Sequence, residues 1–173
     1  YRNNPQATED AIDSEGWLHT GDLACRDKDG CYYVVGRKKE MYISGGENIY
    51  PLEVESLLHT HPSVAEAAIF GVPHNKWGEV GRAVVALKPD QEQVEEEELI
   101  EWVRTRIAHY KVPHRIFFTD TLPKTAAGKI SKTTLREMFG QLDPEDDRRV
   151  GREDNRLPYK ANERRGAHAS DET

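Results

Sequence analysis

The spacing of apolar positions changes several times along the chain, and each change marks an element. Residues 1–22 (YRNNPQATEDAIDSEGWLHTGD) show little periodicity and read as loop, with a short helix near Gln6–Ile12. Leu23–Arg26 and Cys31–Val35 are strand-like runs joined by Asp27-Lys28-Asp29-Gly30, whose Asp-Gly end suits a tight hairpin turn. Cys25 and Cys31 fall on this hairpin and are expected to pack. Residues 36–49 break the pattern. Pro51 then opens a helix in which Val54, Leu57, Leu58 and His61 keep helical spacing, and Pro62 ends it. Val64–Val72 and Val80–Leu87 are strands by their β-branched and apolar content. Glu95–Ala108 is a helix with Leu99, Trp102, Val103 and Ile107 on one face. Its acidic run Glu95–Glu98 meets the positive end of the helix dipole. Pro113 precedes a strand at Arg115–Thr119, and a loop with Pro123 and Gly128 leads to a short helix near Ser131–Phe139. The predicted class is α+β, with helices on one face of a small, at least partly antiparallel sheet.

Beyond Phe139 the pattern stops. Residues 140–173 mix charges with scattered Leu, Val and Tyr, and are expected to be a disordered tail because so little apolar surface cannot offset the ordering entropy. Composition agrees with that. Counting its 13 glycines and leaving out its 7 tyrosines, the apolar share of the 173 residues is about 40%, against ~45–50% in ordinary domains. No run reaches the ~18 apolar residues of a membrane span, and no basic-then-apolar leader is present. A net charge of −7 gives no counterion release at phosphates, which argues against non-specific nucleic-acid binding. Two cysteines without a CxxC support neither a disulfide scaffold nor a structural zinc site, so a cytoplasmic setting is expected. A start at Tyr1 without methionine points to a piece of something longer.

Four short motifs carry candidate chemistry. Thr20-Gly21-Asp22 presents a carboxylate after a glycine, suited either to ribose hydroxyls or to a plain turn. Gly36-Arg37-Lys38-Lys39 offers a guanidinium fork for hydroxyl or phosphate oxygens, or a basic exit from a strand. Ser44-Gly45-Gly46-Glu47-Asn48 permits close approach of a ligand, or a tight turn before the Pro51 helix. Pro123 to Lys132 (PKTAAGKISK) holds Lys129 among small residues on a flexible loop, from which an ammonium can reach an oxyanion. It is not a phosphate loop, since no glycine lies five before Gly128 and isoleucine follows Lys129.

The order TGD, GRKKE, SGGENIYPLEVE and PKTAAGKISK resembles the C-terminal portion of acyl-adenylate-forming enzymes, most of all bacterial acyl-CoA synthetases (fatty-acid and related acid–CoA ligases), from Tyr1 to Phe139. Such enzymes use MgATP to turn a carboxylic acid into an acyl-adenylate and then pass the acyl group to a thiol, a small C-terminal domain turning about a hinge between the two steps. The resemblance implies that residues 1–38 end a large N-terminal adenylation domain, missing here, with its hairpin and hinge. Residues 39–139 would be the mobile domain.

By the same resemblance Asp22 and Arg37 would hold the ribose of ATP or AMP, with Val34 an apolar wall beside the nucleotide. Lys39 takes the hinge position, and Lys129 matches the adenylation lysine. Gly45 and Gly46 would line the pantetheine tunnel for coenzyme A. Trp77 and Tyr110 match positions that contact the CoA nucleotide, packing being the other reading for both; Trp102, on an apolar helix face, reads as core. Lys132 stands where many members carry arginine, which keeps the charge but loses the fork. No metal ligand is assigned; Mg2+ would be held mainly through the missing domain. Two further functions stay open: loading a carrier-protein phosphopantetheine, and a non-catalytic CoA- or partner-binding module.

Overall fold

A computed structural model describes residues 1–89 and 94–141. The disorder expected for 140–173 therefore lies, except for Gly140 and Gln141, outside the described residues. Helix α1 (Pro5–Ala11) starts where the Asn4 side chain accepts a hydrogen bond from the Ala7 amide, with proline in its first turn. Strands β1 (Asp22–Arg26) and β2 (Tyr32–Arg37) form an antiparallel ribbon that pairs Asp22 with Arg37. Asp27 organises the turn between them. Its Oδ1 accepts from the amides of Asp29 and Cys31, each at 2.9 Å. The Cys31 bond does most to hold this carboxyl below the ordinary aspartate range.

The larger sheet is built on β5 (Val64–His74) and β6 (Gly78–Leu87), antiparallel from Val64–Leu87 to His74–Gly78. The other edge of β6 meets a short hairpin, β3 (Tyr42–Ser44) and β4 (Glu47–Ile49), through Ser44–Gly78. Farther along that edge lies β7 (Arg115–Phe118), the parallel neighbour. Helices α2 (Pro51–Leu58) and α3 (Glu96–Arg104) bury Val54, Leu58, Leu99, Ile100 and Val103 against Ala67, Ile69, Ala83 and Val85. The intervening sheet residues Ala68, Phe70, Val80 and Val84 point the other way, onto Leu122, Ile130 and helix α4 (Lys132–Phe139), which supplies Leu135 and Phe139. Buried Arg82 donates from Nη1 to the Phe139 and Gln141 carbonyls, placing a cation at the negative end of α4.

The α+β class and the antiparallel pairing stand as expected. Four details differ. Helices cover both faces of the sheet, and the reason is visible in β5 and β6, whose apolar runs are nearly unbroken where a one-sided sheet would alternate. Residues 42–49, part of the stretch that breaks the sequence pattern and to which that pattern assigns no strand, form the β3–β4 hairpin. Cys25 and Cys31 are exposed, because the ribbon packs against the other described residues at Gly36, beside Tyr50, and not where the cysteines lie. Trp102 is only partly buried at the margin of the α2–α3 core, with the Arg106 guanidinium 3.5 Å from its ring centre.

Tyr42 keys β3 into the sheet. Its ring lies over Gly71, where a Cβ would stand 2.5 Å from its own Cβ, and its hydroxyl sits against Gly81. The hydroxyl is buried and has no hydrogen-bond partner among the described residues. Burial, with Glu79 and Glu55 nearby, pushes its ionisation far above the ordinary tyrosine range, so it stays neutral. An unpaired buried hydroxyl is a cost, so Tyr42→Phe should stabilise the chain by about 1 kcal/mol. Urea denaturation measures this, and a less stable variant would contradict the packing described.

Candidate functional site

The candidate residues fall into three places. The first is the ribbon. The cross-strand register puts the Arg37 guanidinium beside Asp22, with Nε donating to Oδ1 at 3.0 Å. Thr20 Oγ1 accepts from the Asp22 amide at 3.1 Å, setting the carboxylate at the mouth of an open groove lined by Asp10, Leu18, His19, Thr20 and Lys38. Both charged side chains keep solvent access, and Val34 on β2 is 60% exposed. A carboxylate with one oxygen held by a guanidinium keeps the other for a pair of ligand hydroxyls.

The connection from the ribbon to the α/β body follows directly. Lys38 still belongs to the ribbon, its amide donating to the Gly21 carbonyl at 2.9 Å. Glu40 belongs to the body, through a 2.5 Å contact between its carboxylate and the Lys132 ammonium. Lys39, exposed in the turn, is the single residue between these two attachments.

At the second place, Gly45 and Gly46 form the two-residue turn of the β3–β4 hairpin, with φ of +59° and +89°. Both angles are left-handed, which is why two glycines stand here. Gly45 is also pressed against Trp77: its amide donates to the Trp77 carbonyl at 2.9 Å, and a Cβ would stand 2.9 Å from the indole. Trp77 is set by buried His74, whose Nδ1 accepts from the Lys76 and Trp77 amides at 3.1 and 3.2 Å. Trp77 therefore packs, partly buried, and also frames the glycine turn. Tyr110 stands apart in the turn His109–Lys111, 45% exposed.

The third place is the lysine loop. It is more closed than its small residues suggest. The Thr125 amide donates to the Lys129 carbonyl at 2.7 Å, and the Gly128 amide to the Thr125 carbonyl at 2.9 Å, with Gly128 at φ +76°. Lys124 pairs with Ile130 across the base, and the Lys124 ammonium lies 2.7 Å from a Glu66 oxygen. Ile130 and Leu122 pack into the core under α4. The Lys129 side chain leaves this small hairpin exposed and makes no hydrogen bond or ion pair with the described residues. The structure thus joins Asp22 to Arg37 and Gly45 to Trp77, and gives Lys129 no contact with either pair.

Sequence reasoning missed one cluster. Lys132 Nζ lies 2.5 Å from Glu40 Oε2 and 2.8 Å from Glu55 Oε1, and Glu55 Oε1 also accepts from the Ile69 amide at 2.8 Å. Lys132 is therefore occupied by carboxylates. The only signal for this was charge at positions next to apolar ones, Glu55 beside Val54 and Lys132 beyond Ile130. No cluster of three or more His, Cys, Asp or Glu able to hold a metal occurs among the described residues. No helix among them is long and apolar enough to cross a membrane.

Comparison with known proteins fits this geometry. Residues 53–129 match the family described as AMP-binding enzyme C-terminal domain. A feruloyl-CoA synthase of an Amycolatopsis species is 50% identical over 140 residues, covering 81% of this chain and 28% of that protein. A long-chain-fatty-acid–CoA ligase of Mycobacterium tuberculosis is 44% identical over 144 residues, covering 83% and 28%. Among solved structures, the o-succinylbenzoate CoA synthetase of Bacillus subtilis, in complex with its acyl-adenylate intermediate, superposes with a TM-score of 0.72 at 42% identity, covering 81% of this chain and 28% of that one. The chain spans a little over a quarter of the length of these relatives.

Proposed function

Because residues 53–129 match the AMP-binding enzyme C-terminal domain, we propose that this chain is the C-terminal portion of an ATP-dependent acid–CoA ligase, with residues 1–38 the end of the adenylation domain and 39–139 its mobile partner. In the first half-reaction a carboxylate oxygen attacks the α-phosphorus of ATP and pyrophosphate leaves. Asp22 would accept hydrogen bonds from the ribose hydroxyls, with Arg37 holding that carboxylate and Val34 against the nucleotide. The Lys129 ammonium would bridge carboxylate and α-phosphate oxygens, where negative charge grows in the transition state. In the second half-reaction the thiol sulfur of coenzyme A attacks the acyl carbon and AMP leaves. The body would by then have turned about Lys39, withdrawing Lys129 and bringing Gly45 and Gly46 to the cleft.

A turn without side chains suits a thin pantetheine arm, and Trp77 and Tyr110 would meet the CoA nucleotide. Mg2+ would be held by the N-terminal domain. The setting proposed is cytoplasmic, where ATP and CoA are found. One observation carries this reading: two chemically distinct loops, at Gly45–Gly46 and at Lys129, ride on one body that the chain enters from the Asp22–Arg37 ribbon by the short turn at residues 38–41.

The test is ATP–pyrophosphate exchange. The chain alone should show none, since its sequence contains no Ser/Thr/Gly-rich ATP loop. Fused behind the N-terminal part of the feruloyl-CoA synthase, it should restore acid-dependent exchange and acyl-CoA formation. Exchange by the chain alone would overturn the proposal. Acyl transfer to a holo-carrier protein but not to free CoA would replace the acceptor.

A further inference from the structure

Resting on the two-domain reading above, we propose that Lys132, held between Glu40 and Glu55, is a positioning residue that clamps the distal end of the hinge to the α/β body and confines the pivot to Lys39. The two carboxylates come from different parts of the chain. Glu40 lies in the turn that leaves the ribbon, with its amide and that of Met41 donating to the Arg37 carbonyl at 3.1 and 3.3 Å. Glu55 lies on α2 and is fixed from below by the Ile69 amide of β5. Lys132 is the first residue of α4 and takes both carboxylates at 2.5 and 2.8 Å.

The Lys132 and Glu55 side chains are 16% and 13% exposed, and Glu40 is 36% exposed. The lysine is thus largely withdrawn from water, with its outer partner on the connecting turn. Breaking such a pair leaves a partly desolvated charge without its counter-ion, so the turn has a strong reason to stay attached. On the ribbon side the last cross-strand attachment is the Lys38 amide on the Gly21 carbonyl. In sequence Lys39 alone lies between the two anchors, and the Arg37 carbonyl bonds span it as a turn.

The clamp has a second consequence. Lys132 follows Lys129 by three residues, and Ser131 between them both donates its amide to the Pro123 carbonyl and caps α4 through the Thr134 amide. The residue that holds the hinge therefore directly follows the one that roots the hairpin carrying Lys129. A swing about Lys39 is transmitted to the Lys129 loop with no slack joint in between. A loose clamp would spread the rotation over residues 39–41 and blur where Lys129 arrives.

Hydrogen exchange on this chain tests the clamp without reference to any activity. Lys132→Met and Glu40→Gln should each speed exchange of the Glu40 and Met41 amides about tenfold, with β5 and β6 amides unchanged. Lys132→Arg should restore protection, and Glu40→Gln should add nothing in the Lys132→Met background. Unchanged turn amides overturn the proposal, as does a uniform rise through β5 and β6, which would mean a purely structural ion pair. In the fused enzyme described above, kcat of both half-reactions should fall while KM for ATP holds. Full kcat in an active fusion carrying Lys132→Met overturns the positioning role. An inactive unmutated fusion counts instead against the two-domain reading, and the exchange result then decides the clamp.

Discussion

In an enzyme containing this chain and its adenylation domain, Lys129→Ala should slow acyl-adenylate formation by about 10²–10³-fold, the loss found when a single preorganised donor to a developing oxyanion is removed. Thioester formation from supplied acyl-adenylate should continue at nearly the normal rate. The split follows from where the charge acts. An ammonium between carboxylate and α-phosphate oxygens stabilises the transition state more than the bound ground state, so its removal falls on kcat and not on KM. The Lys129 side chain has no ion pair or hydrogen bond with the described residues, so the substitution removes no such contact and the fold should be unaffected. Pyrophosphate exchange and single-turnover thioester formation, measured separately, check the prediction. An equal loss in both half-reactions would remove Lys129 from the role proposed for it.

Gly45→Leu should produce the opposite split: acyl-adenylate formation persists and thioester formation drops by about 10²-fold, the scale expected when groups at a reacting centre are displaced by about 1 Å. Two effects combine at this position. The backbone holds φ at +59°, where a side chain costs roughly 1–2 kcal/mol. The new Cβ would also stand 2.9 Å from the Trp77 indole, so the indole or the turn must shift. Gly46→Leu carries the first effect without the second, since nothing lies within 4 Å of a Cβ there. It should therefore leave Trp77 in place and obstruct only the open side of the turn. The stability of this chain with each substitution, by thermal melting, separates strain from obstruction. A Gly45→Leu enzyme that forms acyl-CoA normally would exclude the glycine turn from the path of the thiol.

Much of the body was legible in the sequence because its elements are marked by strong local signals. Pro51 starts α2 and the Glu96–Glu98 run starts α3. The unbroken apolar runs of β5 and β6 give strands of nearly the expected length. What escaped is what depends on tertiary partners. The β3–β4 hairpin is held by Tyr42 lying over Gly71, a contact between residues far apart in the chain. The exposure of Cys25 and Cys31 depends on what does or does not cover the ribbon, which no local pattern reports. The Glu40–Lys132–Glu55 cluster joins three segments, each of which reads locally as an ordinary surface charge. Motif order pointed to the candidate residues. The pairing of Asp22 with Arg37 came from hairpin register, and the framing of Gly45 by Trp77 emerged only from the fold.

The closed hairpin around Lys129 bears on how reaction entropy is divided. With its base bridged at Lys124–Ile130 and its turn bonded at Thr125 and Gly128, the backbone there has already lost freedom that would otherwise cost roughly 1–2 kcal/mol per residue to freeze. What remains to be ordered is one flexible side chain, at most about 2 kcal/mol of rotamer freedom. Under the domain turn proposed above, the timing of catalysis would rest with rigid-body diffusion of the whole lobe, and solvent viscosity would govern the delivery of this charge more than the softness of its loop.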